Sequence, residues 1–180
     1  DVVAIVGVSD NGGSSGRLRG QFDVIPPGDL RMALTALCSD DEWGQLWART
    51  LQHRFKGHGD LGGHAVGNLL ITALWQQSDD IVAGLDAVSA LLGARGRVLP
   101  VSLRPLDVVA DVRTTDGLLV EVSGQVQVAT AVGKVEALKL VPANAAATPE
   151  ALTAMAEADV IVMGPGSWFT SVINHLTRSE

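Results

Sequence analysis

The stretch Val2-Val3-Ala4-Ile5-Val6-Gly7-Val8-Ser9-Asp10-Asn11-Gly12-Gly13-Ser14-Ser15-Gly16-Arg17 decides the fold class. It opens with a continuous apolar run, which suits a strand buried on both faces of a parallel sheet better than a surface strand, where apolar and polar residues alternate. A glycine- and serine-rich turn follows directly. In α/β sheets, ligands sit outside the carboxyl ends of strands, and small residues there let backbone N–H groups approach an anion. Arg17 and Arg19 add positive charge. Such a loop on its own is equally the mark of an ordinary flexible turn, so the segment alone leaves both readings open.

Outward from this stretch, Pro26-Pro27-Gly28-Asp29 ends one segment and starts the next, with Asp29 expected to accept from the free N–H groups of a first helical turn. Leu30, Leu34 and Leu37 mark the face of that helix. A second helix carries Trp43, Leu46, Trp47, Thr50 and Leu51, a third Val66, Leu69, Leu70, Ala73 and Leu74, and a fourth Ile81, Leu85, Val88 and Leu92, closed by Gly93 and Gly96. From Arg97 to Pro142 the period changes. Segments 108–112, 118–122, 126–130 and 135–141 read as strands, with Asp116-Gly117 as a hairpin turn. Residues 143–148 look like a short linker, 149–158 like a helix and 158–163 like a second buried strand. The fold class is therefore α/β with a β-rich middle segment. Both ends look cut, since the chain starts inside a core strand and stops soon after a helical pattern begins at Trp168.

Hydrophobic residues make up 47% of the 180 and charged residues 18%, enough apolar material for one core and too little charge for a disordered chain. One domain over 1–180 is the expectation. The formal net charge of −7 disfavours nonspecific attraction to nucleic acid or an anionic membrane, so an anionic ligand needs a local pocket. No run approaches the roughly 18 apolar residues of a membrane span, and the start lacks the basic flank of a signal peptide, so a cytoplasmic location is expected. Cys38, alone of its kind, reads as a core residue.

Two further segments carry candidate chemistry. Gly164-Pro165-Gly166-Ser167 lies between the second expected strand and a helix with Thr170 and Ser171 in its first turn, a place where unpaired N–H groups favour an anion; an ordinary turn capped by Ser167 fits equally well. Gly62-Gly63-His64-Ala65-Val66-Gly67-Asn68 puts small residues at a helix start, with Asn68 able both to donate to and accept from a base or sugar. His53, His58, Asp60 and His64 superficially suggest a metal cluster, but the histidines lack i, i+4 spacing and no cysteine joins them. No serine lies in a Gly-x-Ser-x-Gly elbow.

Taken together, five blocks resemble the YvcK branch of the YvcK/CofD family: residues 6–19, Pro26-Pro27-Gly28-Asp29-Leu30-Arg31, Gly63-His64 with Gly67-Asn68-Leu69-Leu70, residues 93–100, and residues 164–171. The resemblance implies a Rossmann-like three-layer αβα sandwich, truncated here at both ends. It also implies binding of UDP-sugars such as UDP-N-acetylglucosamine and a part in central carbon metabolism and cell-shape or envelope control. The ligand-binding residues it suggests are Asp10, Asn11, Gly12, Gly13, Ser14, Ser15, Arg17, Asp29, Arg31, His64, Asn68, Gly164, Gly166, Ser167 and Thr170.

One departure bears on mechanism. The family commonly has two aspartates where this chain has Asp10-Asn11, and CofD relatives transfer a phospholactyl-type group from a nucleotide-activated donor with a metal, for which paired carboxylates can hold Mg²⁺. The expectation is therefore a non-catalytic regulator, with any Mg²⁺ entering through ligand phosphates and no dedicated metal site. The alternatives are a CofD-like transferase using Asp10 and Asp29 as metal ligands, and a protein contact made by the Trp43 and Trp47 helix, although tryptophans are more often core. A UDP-sugar or related nucleotide is the expected partner, nucleic acid and a membrane span are not, and a homodimer is left open.

Overall fold

The computed structural model describes residues 1–78, 80–164 and 166. Its elements run β1 (Val2–Val6), α1 (Gly13–Phe22), α2 (Pro27–Ala36), α3 (Glu42–Gln52), α4 (Val66–Gln77), α5 (Ile81–Leu92), β2 (Gly96–Pro100), β3 (Asp107–Arg113), β4 (Leu119–Ser123), α6 (Gln125–Thr130), β5 (Lys134–Val141) and α7 (Pro149–Ala156). β1 and β2 pair in parallel, from Val2 opposite Gly96 to Val6 opposite Pro100. β3 is the centre of an antiparallel sheet in the order β4-β3-β5. The fold is thus α/β with a β-rich middle.

The helices begin and end where their caps dictate. Pro27 occupies the first turn of α2, where its missing N–H costs nothing, while Asp41 and Asp80 cap α3 and α5 by accepting from the N–H groups of Gly44 at 2.8 Å and Ala83 at 3.0 Å. Asp29 does not cap α2; Pro26 does, and Asp29 lies inside the first turn, where its charge complements the helix dipole. α2 touches α1, α3, α4, α5 and both strands of the parallel pair. Its Leu30 and Leu34 are fully buried, each contributing roughly 1.5–3 kcal/mol. Val98 joins their cluster, whereas the next residue, Leu99, joins Val82 and Ala151, with Ile5 and Ala154 packed alongside. Neighbouring strand residues point to opposite faces, so α7 covers the face of β1 and β2 that α2 does not, giving an α/β/α layering.

Several expectations are corrected. The start of β1 is not buried on both faces: Val2 and Val3 are exposed, and burial is complete only at Val8, because β1 has one strand neighbour among the described residues. The buried face of α4 is Gly67, Asn68, Ile71, Thr72 and Trp75, rotated from the all-apolar stripe because Asn68 and Thr72 find hydrogen-bond partners inside. Trp43 is half exposed, its indole N–H donating to the Leu91 carbonyl at 2.9 Å and its ring edge-on to Trp47.

Cys38 is only partly buried beside the core. Segment 126–130 is helical: Gly124, at φ 103°, turns the chain out of β4, and the Val126 N–H donates to the Asn11 side chain. Residues 143–148 are no loose linker, since Ala145 and Thr148 are buried and the Thr148 N–H donates to the Val101 carbonyl. Finally, 160–163 forms no strand, and all four apolar side chains are exposed with no strand beside them among the described residues. The hairpin at Asp116-Gly117 forms as expected, with the Thr114 N–H donating to the Leu118 carbonyl.

Candidate functional site

β1 delivers the chain into a tight loop. The Gly12 N–H donates to Oδ1 of Asp10 at 2.8 Å, and α1 starts immediately, so Ser14 and Ser15 lie in its first turn and Arg17 just after it, in a helix and not in a flexible turn. Gly13 enters that helix at φ 47°, a left-handed conformation that glycine adopts without cost. Gly28, at the start of α2, allows the close approach that forms the site. A Cβ there would stand 2.3 Å from Ser15 Oγ and 3.0 Å from Asp10 Oδ2. Asp10 and Asp29 lie close enough here for their carboxylates to repel one another.

Behind the loop runs a buried polar chain. Ser14 Oγ lies 3.0 Å from His64 Nδ1, Asn68 Nδ2 donates to Ser14 Oγ at 3.0 Å, and Arg31 Nε donates to Asn68 Oδ1 at 2.9 Å. Arg31 also donates through Nη1 to Gln52 Oε1. Ser14, His64, Asn68 and Arg31 are all buried, so α1, α2, α4 and the segment that leads into α4 are locked by bonds that water does not weaken.

The electrostatics are divided. On one side, Arg17 donates to the carbonyls of Asp60 at 3.4 Å and Gly62 at 2.8 Å, and Arg54 donates to that of Gly63 at 2.9 Å, so among the described residues both guanidiniums engage backbone only. Burial, then repulsion from Arg17 and Arg54, lowers the His64 pKa from its ordinary value and favours the neutral ring. Burial, then Arg54, likewise lowers that of Arg31, while Asp29 opposes the shift. On the other side, the Asp29 side chain touches solvent but sits among enough protein atoms that desolvation, followed by repulsion from Asp10, raises its carboxyl pKa; Arg31 pulls it back. The result is a basic patch beside an acidic pair at one strand end.

Other candidates lie elsewhere. Asn11 turns away from this chain: its Oδ1 accepts from the Val126 N–H at 3.2 Å and its Nδ2 donates to Gln127 Oε1 at 3.1 Å, fastening the loop to α6. Gly164 and Gly166 are exposed, and the strand expected to deliver them does not form, so a second strand-to-helix junction is not built among the described residues. Ser167 and Thr170 lie outside those residues. Arg54 and Gln52 were missed by sequence reading, since the role of Arg54 depends on the 55–63 loop folding back so that it bridges Ala65, and that of Gln52 on α3 packing its end against α2.

A separate cavity of about 430 Å³ between the starts of α5 and α7 is lined by Asp80, Ile81, Val82, Leu103, Pro149 and Glu150. Its two carboxylates oppose an anion, and it holds none of the candidates. Among the described residues, no helix is long and apolar enough to cross a membrane, and no group of three or more His, Cys, Asp or Glu side chains is placed to hold a metal.

Comparison with known proteins agrees with this arrangement of elements. A "Putative gluconeogenesis factor" of Mycobacterium tuberculosis is 51% identical over 178 residues, covering 97% of this chain and 52% of that protein. A "Gluconeogenesis factor" of Listeria monocytogenes is 38% identical over 179 residues, covering 99% of this chain and 53% of that protein. A crystal structure of a UPF0052-family protein from Bacillus halodurans matches with a TM-score of 0.88 at 39% identity, covering 99% of this chain and 55% of that one. The chain spans about half the length of the curated relatives it matches. The family profile described as "2-phospho-L-lactate transferase CofD" matches residues 1–180, and with these relatives beside it the chain belongs to the CofD/YvcK family.

Proposed function

We propose that this domain binds a nucleotide-activated sugar of the UDP-N-acetylglucosamine type through its phosphates, as the ligand-sensing part of a non-catalytic regulator of central carbon metabolism and of cell shape or envelope. One observation carries the reading. Arg17, Arg31 and Arg54 gather around the start of α1 and His64, and among the described residues none of the three forms an ion pair, in a chain whose formal net charge is −7. Arginines held by neutral groups keep their attraction for an incoming phosphate; Arg17 and Arg54 are exposed to it, and Arg31 stands buried behind them. In this reading Asp10 and Asp29 would accept from ligand hydroxyls. The gluconeogenesis-factor names of the relatives support a role in carbon metabolism.

Mg²⁺ fits the acidic side loosely. Asp10 and Asp29 would hold it, with Asn11 contributing no charge, and when bound it would neutralise ligand phosphate; two carboxylates and several waters are ordinary for this ion. A CofD-like transferase is the second reading, favoured by the repulsion between Asp10 and Asp29, which a cation would relieve, and by the family description. Calorimetry of the full-length protein with UDP-N-acetylglucosamine, with and without Mg²⁺, tests the first reading: saturable binding supports it, and no heat in either condition contradicts it. Steady release of product from a nucleotide-activated donor would favour the second.

A further inference from the structure

We propose that Arg31 is a positioning residue which, through Asn68 and Ser14, holds His64 with its proton on Nε2, so that His64 donates a hydrogen bond to a phosphate oxygen of the bound nucleotide. Arg31 Nε can only donate, so the side-chain oxygen of Asn68, 2.9 Å away, must face it. That orientation turns Asn68 Nδ2 toward Ser14 Oγ, which therefore accepts at 3.0 Å, and the Ala65 N–H donates to the same oxygen at 3.4 Å. With its lone pairs engaged, the Ser14 hydroxyl has its own proton to give, and the acceptor beside it is His64 Nδ1 at 3.0 Å. A ring that accepts at Nδ1 is neutral and carries its hydrogen on Nε2.

The direction of every bond follows from the one group in the chain that cannot accept. Nε2 of His64 has no partner among the described residues, although the ring is only 6% exposed. Burial first, and then the two cations that act on this ring, Arg17 and Arg54, favour its neutral form, and both cations would themselves attract phosphate. A neutral donor beside two guanidiniums adds direction without adding repulsion.

The inference rests on the nucleotide-binding reading, and the tests separate the two. In full-length, ligand-free protein, imidazole ¹⁵N spectra, assigned by the signal lost in His64→Gln, should show the Nε2–H tautomer. In Arg31→Met the Asn68 amide is free to turn over, and the proton should move to Nδ1. A wild-type Nδ1–H form, or an unchanged tautomer in folded Arg31→Met, overturns the proposal whatever the ligand. If Arg31→Met does not fold, two His64 variants decide by calorimetry with UDP-N-acetylglucosamine. The amide nitrogen of Gln mimics Nε2 and that of Asn mimics Nδ1. His64→Asn should bind about tenfold or more weaker than His64→Gln. Equal losses in both variants would reduce His64 to a structural partner of Ser14. Absence of wild-type binding, with the tautomer as stated, would remove the nucleotide and the donation to its phosphate while leaving the positioning role of Arg31 standing.

Discussion

Arg31 and Lys139 both carry a full charge and both have hydrogen-bond partners, yet Arg31 is 4% exposed and held by two neutral amides, whereas Lys139 reaches Glu121 at 2.6 Å across an open sheet face. The same contrast separates the two regions around them. The α1, α2 and α4 bundle spends its polar groups on one continuous buried chain, while the antiparallel sheet carries Arg113–Glu136, Lys134–Glu136 and Lys139–Glu121 pairs that water and salt screen. A contact in the first region fixes geometry; one in the second mostly keeps the surface soluble.

The comparison can be broken first at its strongest point. Asn68→Leu removes the acceptor of Arg31 Nε and a donor to Ser14 in one step, leaving a buried guanidinium short of a partner. A loss of about 3 kcal/mol is expected in urea unfolding, and a loss below about 1 kcal/mol would contradict the idea that the chain locks the bundle. Next in size is ligand affinity. Arg17→Ala should weaken UDP-sugar binding about ten- to a hundredfold, by losing a charge-assisted contact and loosening the 60–63 loop, whereas Arg104→Ala should weaken it less, because among the described residues no side-chain bond ties Arg104 to α1 or to that loop. Equal affinities would take Arg17 out of the site.

Acidification probes the same region more gently. His64 has a folded pKa below its ordinary value of about 6.5, so between that value and the folded pKa the unfolded chain binds more protons and stability falls as pH drops. Asp29 works the other way and at lower pH, since its raised carboxyl pKa means the folded state takes up protons first, adding stability as the solution acidifies. His64→Gln should therefore show a flatter stability profile just below pH 6.5 than wild type; superimposable profiles would mean that the ring is not held neutral. The smallest effect belongs to the sheet: Lys139→Ala should leave the thermal midpoint unchanged in moderate salt, and a clear drop would show the sheet pairs to be as consequential as the buried chain.

What the sequence could reveal follows the same division. The β1 run, the faces of α2 and α5 and the Asp116-Gly117 hairpin were legible because apolar spacing and turn chemistry are local. α6 was not: Val126 and Val128 alternate with glutamines as in a strand, and the segment becomes helical under the turn at Gly124 and the distant Asn11 side chain. Ser14, His64, Asn68 and Arg31 were each picked out as ligand candidates, yet their bonding to one another was invisible, since it joins positions up to 54 residues apart. The rotation of α4 has the same cause, as polar residues that find buried partners mimic an outer face. Arg54 escaped notice because a charge bonded to a loop carbonyl leaves no pattern in spacing.

On the proposed reading, the basic patch would recognise phosphate without a metal to hold it. Titration of UDP-N-acetylglucosamine into the full-length protein in excess EDTA, with donor turnover followed in parallel, tests that directly. The predicted result is saturable binding with less than about a tenfold loss relative to Mg²⁺-containing buffer, a shift of roughly 1.4 kcal/mol, and no turnover. Binding that vanishes with the metal, together with steady product release when Mg²⁺ is restored, would contradict it and make the Asp10 and Asp29 side the centre of a transferase.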